Sequence, residues 1–399
     1  MKRFEIGLLV FGFVTGSSVV AQPVTVVQST NAPVWGASPR LVQELRIGVI
    51  DGDDEYMFGG IDGVAIGAQG NIFVADGKVP IVREYDAAGK FIRNIGGKGS
   101  GPGEYRQLGA IRTFADGRLA VWDNGAQRLN TYTGTGLPLA SAHVPSGLHS
   151  ADLMHVDRTG NVFIKTALNL DPVTHAFTLG WIRVSPTLQL LDTVKVPPSI
   201  PGAGFVLQTN SGPALPFVPD SISTIAANGE VLTGFNGRYS FELRKKGAAT
   251  VRIERAFTPL RVARGEHAEW TTYAENLADV RRRDPARPQT LPPTFVVPLI
   301  KPAYSDLTSD ADGRIWVRRY IAAELRPAPE RRNGRKGPEQ VWREPPTYDV
   351  FEPTGRLLGT IVLPWDATFA DAVGMQVYVV ATGRDGEESV QRFRVQTSK

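Results

Sequence analysis

The sequence predicts an all-β fold: a six-bladed β-propeller of four-stranded antiparallel blades, closed by an N-terminal strand that completes the last blade. Three observations predict it: an internal repeat, tight turns at fixed places in that repeat, and one strand near the start that no repeat accounts for. Gly70-Asn-Ile-Phe-Val-Ala-Asp76 aligns with Gly117-Arg-Leu-Ala-Val-Trp-Asp123 at an offset of 47, which also sets Tyr85 on Tyr132 and Gly89 on Gly136. Further copies start at Gly160, Gly229 and Gly313, and a weaker one spans Met375 to Val380, which makes six. Runs of alternating apolar and polar residues between turn residues at this period mark a repeated meander of short strands.

Each copy reads as strand, turn, strand, loop, strand, turn, strand. Ala115-Asp-Gly117, Ala227-Asn-Gly229 and Ala311-Asp-Gly313 supply the positive-φ residue that a tight hairpin needs. Units of about 45 residues that cannot bury both faces alone stack radially, and the ring closes so that no face is left bare. The last copy ends one strand short, while Leu41 to Ile47 belongs to no complete copy, so these residues are expected to supply the missing strand.

The chain holds 42 glycines and 29 prolines among 399 residues, above the roughly 12% of average usage, and this favours turns over long helices. A charged fraction of 21% beside a hydrophobic fraction of 42% describes a globular chain. The net charge of +4 is small for this length, and no aromatic-rich basic stripe accompanies it, so nucleic acid is not an expected partner. Lys2 and Arg3, the apolar run Ile6 to Val14, and Val19-Val-Ala21 read as a secretory signal peptide cleaved after Ala21. The run is too short for a membrane span, and the absence of cysteine rules out a lipoprotein route and structural disulfides. The expected organisation is a signal peptide over 1–21, a linker over 22–40 and one propeller over 41–399, secreted or periplasmic and monomeric.

Gly99-Ser-Gly-Pro-Gly-Glu-Tyr105, Asp116-Gly-Arg-Leu-Ala-Val-Trp-Asp123, Arg128-Leu-Asn-Thr-Tyr132 and Gly136 together resemble the NHL repeat, and the stretch from Asp62 to Ile95 is similar to a second copy. The resemblance implies the six-bladed ring. It also implies two functional classes: a non-catalytic binding or scaffold propeller, or a channel-centred enzyme similar to the gluconolactonase-like and arylesterase-like calcium hydrolases or the peptide-amidating lyase.

Successive repeat markers lie 47, 43, 69 and 84 residues apart, so the later blades carry insertions. Trp270, Tyr273, Leu277 and Val280 at helical spacing predict a short amphipathic helix over 264–283, ending near Pro285 in the basic run Arg281-Arg-Arg283. Residues 326–346, rich in Pro, Arg and Glu, read as a hairpin extension.

Catalytic motifs are missing from the sequence, and its five histidines show no metal-ligand spacing. Asp51-Gly-Asp-Asp-Glu55 begins like a calcium loop but has Tyr56 where the turn glycine belongs, and it reads as an acidic surface turn. Gly96 to Gly103 reads as a connector between blades. The repeat alignment puts Ala65, Arg112, His155, Thr224 and Thr308 at one position on the channel-lining strands. Asp62, Asp152, Ser221 and Ser305 lie slightly upstream, nearer a channel mouth. His155 is a candidate for proton exchange near neutral pH and Arg112 for holding a carboxylate. Two cationic groups in this ring disfavour calcium, and no cofactor is expected. The alternative binding candidates sit on loops after the second strands: Asp76, Lys78, Asp123, Asn124, Gln127, Lys165 and Arg319. A protein, peptide or glycan is the expected partner, and the binding class is favoured over the enzyme.

Overall fold

The computed structural model describes residues 23–37, 39–146, 154–168, 178–196, 216–244, 247–282, 296–327 and 340–397, with side chains of the 264–282 helix described as far as Asn276. The described residues form six larger sheets, each built on four antiparallel strands, beside three two-stranded ones, and the protein is a six-bladed β-propeller. Blade 1 comprises Ile61–Ile66, Ile72–Asp76, Ile81–Tyr85 and Phe91–Ile95, in that order from axis to rim. Blade 2 repeats it with Leu108–Thr113, Leu119–Asp123, Arg128–Tyr132 and Pro138–His143. Blade 3 runs from Met154–Val156 to Leu190–Lys195, blade 4 from Ser221–Ile225 to Thr250–Glu254, and blade 5 from Tyr304–Ser309 to Leu357–Val362.

Blade 6 closes the ring. Its strands are Ala367–Val373, Gln376–Thr382, Glu388–Gln396 and, outermost, Arg40–Ile47 from the other end of the chain. Leu41 lies opposite Val395 and Ile47 opposite Val390, so residues 40–47 and the last strand are held in one sheet. The marker glycines Gly70, Gly117, Gly160, Gly229 and Gly313 all have φ between 80° and 86°. That is the left-handed region the tight turn requires and a side chain resists.

Alternation along each strand decides the packing. Ala65, Phe73 and Ala75 of blade 1 meet Ile111, Leu119 and Val121 of blade 2, while Val64, Ile72 and Val74 turn to Tyr378 and Val390 of blade 6. A one-residue slip in any strand would exchange these two sets, so register and ring closure support each other.

One expectation needs correcting. Residues 22–40 were expected to be a linker, yet Val24–Gln28 pairs in parallel with Thr250–Glu254 as a fifth strand of blade 4. Trp35 then packs on blade 5, its N–H bonded to Leu358 O at 2.7 Å. The segment is short and alternates only weakly, and what fixes it is the open edge of the blade 4 sheet.

Chain direction gives the ring two different ends. The strand ends that lead into the loops between second and third strands, and from each blade's fourth strand toward the next blade, lie at one end, the insert face; the glycine turns lie at the other, the turn face. On the turn face, Arg158 of blade 3 donates its N–H to Ala227 O of blade 4 (2.9 Å) and its side chain to Asp312 O of blade 5 (2.5 Å). Gly374 of blade 6 donates to Asp312 Oδ2 at 2.7 Å. These bonds tie blades 3 to 6 together at the turn face.

Candidate functional site

The insert face is built by the helix Arg264–Arg282, the paired strands Leu260–Arg261 and Ile300–Lys301, and the paired strands Glu324–Leu325 and Trp342–Arg343. The helix falls within the 264–283 expected to be helical; of the extension expected over 326–346, residues 328–339 lie outside the described residues, as do the side chains of the basic run 281–283. A buried cation binds these pieces into one unit. Lys301 is 1% exposed, and its Nζ donates to Glu266 Oε1 (2.6 Å), Glu344 Oε1 (2.6 Å) and Ile321 O (3.1 Å), with the Phe217 ring above it. Burial pushes the Glu344 carboxyl above its ordinary range, and the neighbouring Lys301 opposes that shift. Glu269 accepts N–H bonds from Val341 and Trp342, so the helix also grips the extension. The sequence reading missed this cluster because its members are 78 positions apart, from Glu266 to Glu344, and share no motif.

Several predicted face-loop residues prove to be internal supports. Asp76 and Asp123 are both 0% exposed. Asp76 accepts N–H bonds from Gly59, Lys78 and Val79 and pairs with Arg83 at 2.9 Å. Asp123 accepts four backbone N–H groups, from Arg106, Gln107, Gly125 and Ala126. Each carboxylate therefore organises its loop from beneath and is not available to a partner. Asn124 is buried as well, accepting the Trp122 indole N–H at 2.8 Å. Lys78 is exposed on the insert face, Gln127 holds φ 49° and donates to Asn124 O, Lys165 lies over the Trp181 ring, and Arg319 pairs with Asp349 at 3.3 Å.

The residues that the repeat alignment set at one position share a register in the structure. Ala65, Arg112, His155, Thr224 and Thr308 lie opposite Phe73, Ala120, Phe163, Leu232 and Trp316, the same register position in five successive blades. Asp371, opposite Tyr378, supplies the sixth. Sequence reasoning missed it because blade 6 lacks the marker turn and its inner strand has a bulge between Phe369 and Asp371 that shifts the alternation. Working backwards from Gln376 to the apolar-alternating run before Gly374 was the available signal. Upstream, Asp62 is exposed at a bulge, Ser305 donates to Arg318 O at 3.3 Å, Ser221 opens blade 4's inner strand, and Asp152 lies outside the described residues.

His155 Nε2 lies 3.0 Å from Thr224 Oγ1 and its ring meets Trp181 edge-on at 5.1 Å. Burial, then Arg112, then Lys165 lower its pKa to about 3, which favours the neutral imidazole. Asp371 moves the other way: burial raises its carboxyl to about 6, against the pull of Arg112.

Residues 51–55 form an exposed acidic turn running into a short 3-10 turn, Asp54–Tyr56, and Glu55 O accepts the Tyr85 hydroxyl. Among the described residues, no group of three or more carboxylates and histidines is placed to hold a metal ion. The amides in the Gly96–Gly103 connector are occupied, with Ser100 and Gly101 donating to Glu104 Oε2 at 2.8 and 2.7 Å.

The profile of a family described as a 6-bladed β-propeller matches residues 50–170, which take in blades 1 and 2 and the first half of blade 3. No curated protein matches the chain. Among solved structures, a member of the DUF4221 family from Bacteroides vulgatus aligns at 10% identity and TM-score 0.49, covering 90% of this chain and 99% of its own. A protein from Bacteroides fragilis described as exported aligns at 10% identity and TM-score 0.48, covering 94% and 100%. A gluconolactonase from Xanthomonas campestris aligns at 13% identity and TM-score 0.42, covering 91% and 97%. None of these likenesses bears on this chain's chemistry.

Proposed function

We propose that the protein is an exported, NHL-type propeller that acts as a non-catalytic binding module and takes a protein or peptide partner on its insert face. The observation that carries this reading is the surface of the insert. Val296, Leu299 and Leu325 are 78%, 60% and 69% exposed there, on a unit anchored by the buried Lys301 cluster. Exposed apolar side chains on a rigidly held loop structure suit recognition, since the partner's desolvation supplies affinity and little loop ordering is lost. Among the described residues no helix is long and apolar enough to cross a membrane, and the export reading rests on the leader sequence.

The alternative, a channel-centred hydrolase or lyase, makes a different demand: turnover that depends on Arg112 and His155, whose lowered pKa makes it a weak base. The test combines metal analysis, a lactonase and esterase panel, and a displayed peptide library with a glycan array as its second arm. Peptide ligands whose binding is lost in Leu325→Lys and Leu299→Lys but kept in Arg112→Ala are the expected result. Stoichiometric calcium with turnover abolished by Arg112→Ala or His155→Ala overturns the proposal.

A further inference from the structure

Several buried charges among the described residues meet an opposite charge directly. Asp76 meets Arg83 at 2.9 Å, Asp310 meets Arg314 at 2.5 Å, and Lys301 is held by two carboxylates. Arg112 and Asp371 in the channel ring do not follow this pattern. Arg112 donates Nη1 to Ile111 O at 2.8 Å and makes no direct ion pair among the described residues, which leaves most of its five N–H groups unused. Asp371 receives the N–H groups of Ala372 (2.7 Å) and Ala311 (3.3 Å), both at Oδ1, and Oδ2 takes no hydrogen bond among the described residues. The two charges act on each other without touching, since Arg112 is the main influence lowering Asp371. In ring order only Ala65, whose side chain is a methyl group, stands between them.

The remaining positions add no charge. His155 is neutral and bonded to Thr224, and Thr308 carries a hydroxyl. The six register positions therefore hold one cation and one anion, two blades apart, with a net charge of zero. We propose that this ring binds a small zwitterion of amino-acid size, its carboxylate on Arg112 and its ammonium on Asp371. A ligand of zero net charge that carries both groups satisfies both side chains at once, whereas a simple anion or cation leaves one of them desolvated and unmatched. This inference is independent of the partner proposed for the insert face.

The probes are glycine, β-alanine and 4-aminobutyrate, which differ in the spacing of the two charges, with acetate and methylammonium as single-charge controls. Titration calorimetry and thermal shift on the full mature chain give the readouts. One amino acid of the series is expected to bind at least about tenfold more tightly than either control, and to lose at least about tenfold in Arg112→Met and in Asp371→Asn, the scale of one charge-assisted hydrogen bond. Circular dichroism confirms that each variant keeps the propeller; if Arg112→Met does not, Arg112→Lys replaces it and is expected to lose affinity through its missing fork geometry. Absence of binding by any of the three overturns the proposal. So does acetate binding as tightly as the zwitterions, or affinity unchanged by Asp371→Asn.

Discussion

Removing the Lys301 ammonium tests whether the insert is a unit held by one buried cation. Nζ uses all three of its donors, on Glu266, Glu344 and Ile321 O, and the residue is almost wholly buried. Lys301→Met keeps the apolar stem and strands two carboxylates, one fully and one largely withdrawn from water. Leaving buried charge without its partner costs about 3–5 kcal/mol. At 1.36 kcal/mol per factor of ten, that is a loss of roughly two to four decades in local stability. The insert joins blades 4 and 5 without supplying a strand to either sheet, so opening is expected to be local. Hydrogen exchange should accelerate by about a hundredfold or more around 260–270, 299–303 and 341–346, while blades 1 and 2 exchange as in the parent. The triple variant Lys301→Met/Glu266→Gln/Glu344→Gln, which removes all three charges, should recover most of the protection. Exchange within threefold of the parent in Lys301→Met, or acceleration spread evenly over all six blades, refutes the reasoning.

Two further outcomes follow from the ring itself. Deleting Arg40 to Ile47 removes the outer strand of blade 6 and with it Leu41, Leu45 and Ile47, apolar side chains worth about 1.5–3 kcal/mol each where buried; aggregation or a fall of several kcal/mol in urea unfolding is expected, and a variant as stable as the parent shows that the ring closes otherwise. Asp371→Asn should change stability with pH: because the folded-state pKa is raised from 3.8 to about 6, by burial and by nearby Asp310 against Arg112, the ionised carboxylate disfavours the folded state. The parent therefore loses stability relative to the Asn variant as pH rises from about 4 to about 6, and the two converge below about 4. An Asn variant that is the less stable one at neutral pH contradicts this.

The ring was legible from sequence because a propeller writes itself repeatedly: five glycines at one backbone conformation and a strand with nowhere else to go are local signals. The shared register of Ala65, Arg112, His155, Thr224 and Thr308 was legible for the same reason. What escaped the sequence was set by tertiary context. Val24–Gln28 became a strand because blade 4 had an open edge to offer, and the bulge before Asp371 broke the alternation on which the alignment depended. Asp76 and Asp123 were placed correctly on the insert face and given the wrong role. A carboxylate at a strand end can face solvent or turn under its loop, and the backbone donors that decide between the two come from residues up to 17 positions away.

The contrast between those aspartates and Asp371 bears on where this protein's activity resides. Asp123 collects four backbone N–H groups and Asp76 three with an arginine, so their burial is offset where it occurs. Asp371 has two N–H groups on one oxygen, and burial raises its carboxyl to about 6. Groups whose ionisation is perturbed gather at sites where charge is used, which agrees with the ligand site proposed above. The turn face, stitched through Arg158 and Asp312, keeps the ring rigid around that charge. The insert face, held by Lys301, presents its apolar side chains on a separate unit. Two sites supported by different elements predict that variants at one leave binding at the other unchanged, and coupling between Leu325→Lys and Arg112→Met would show instead that the channel and the insert form a single site.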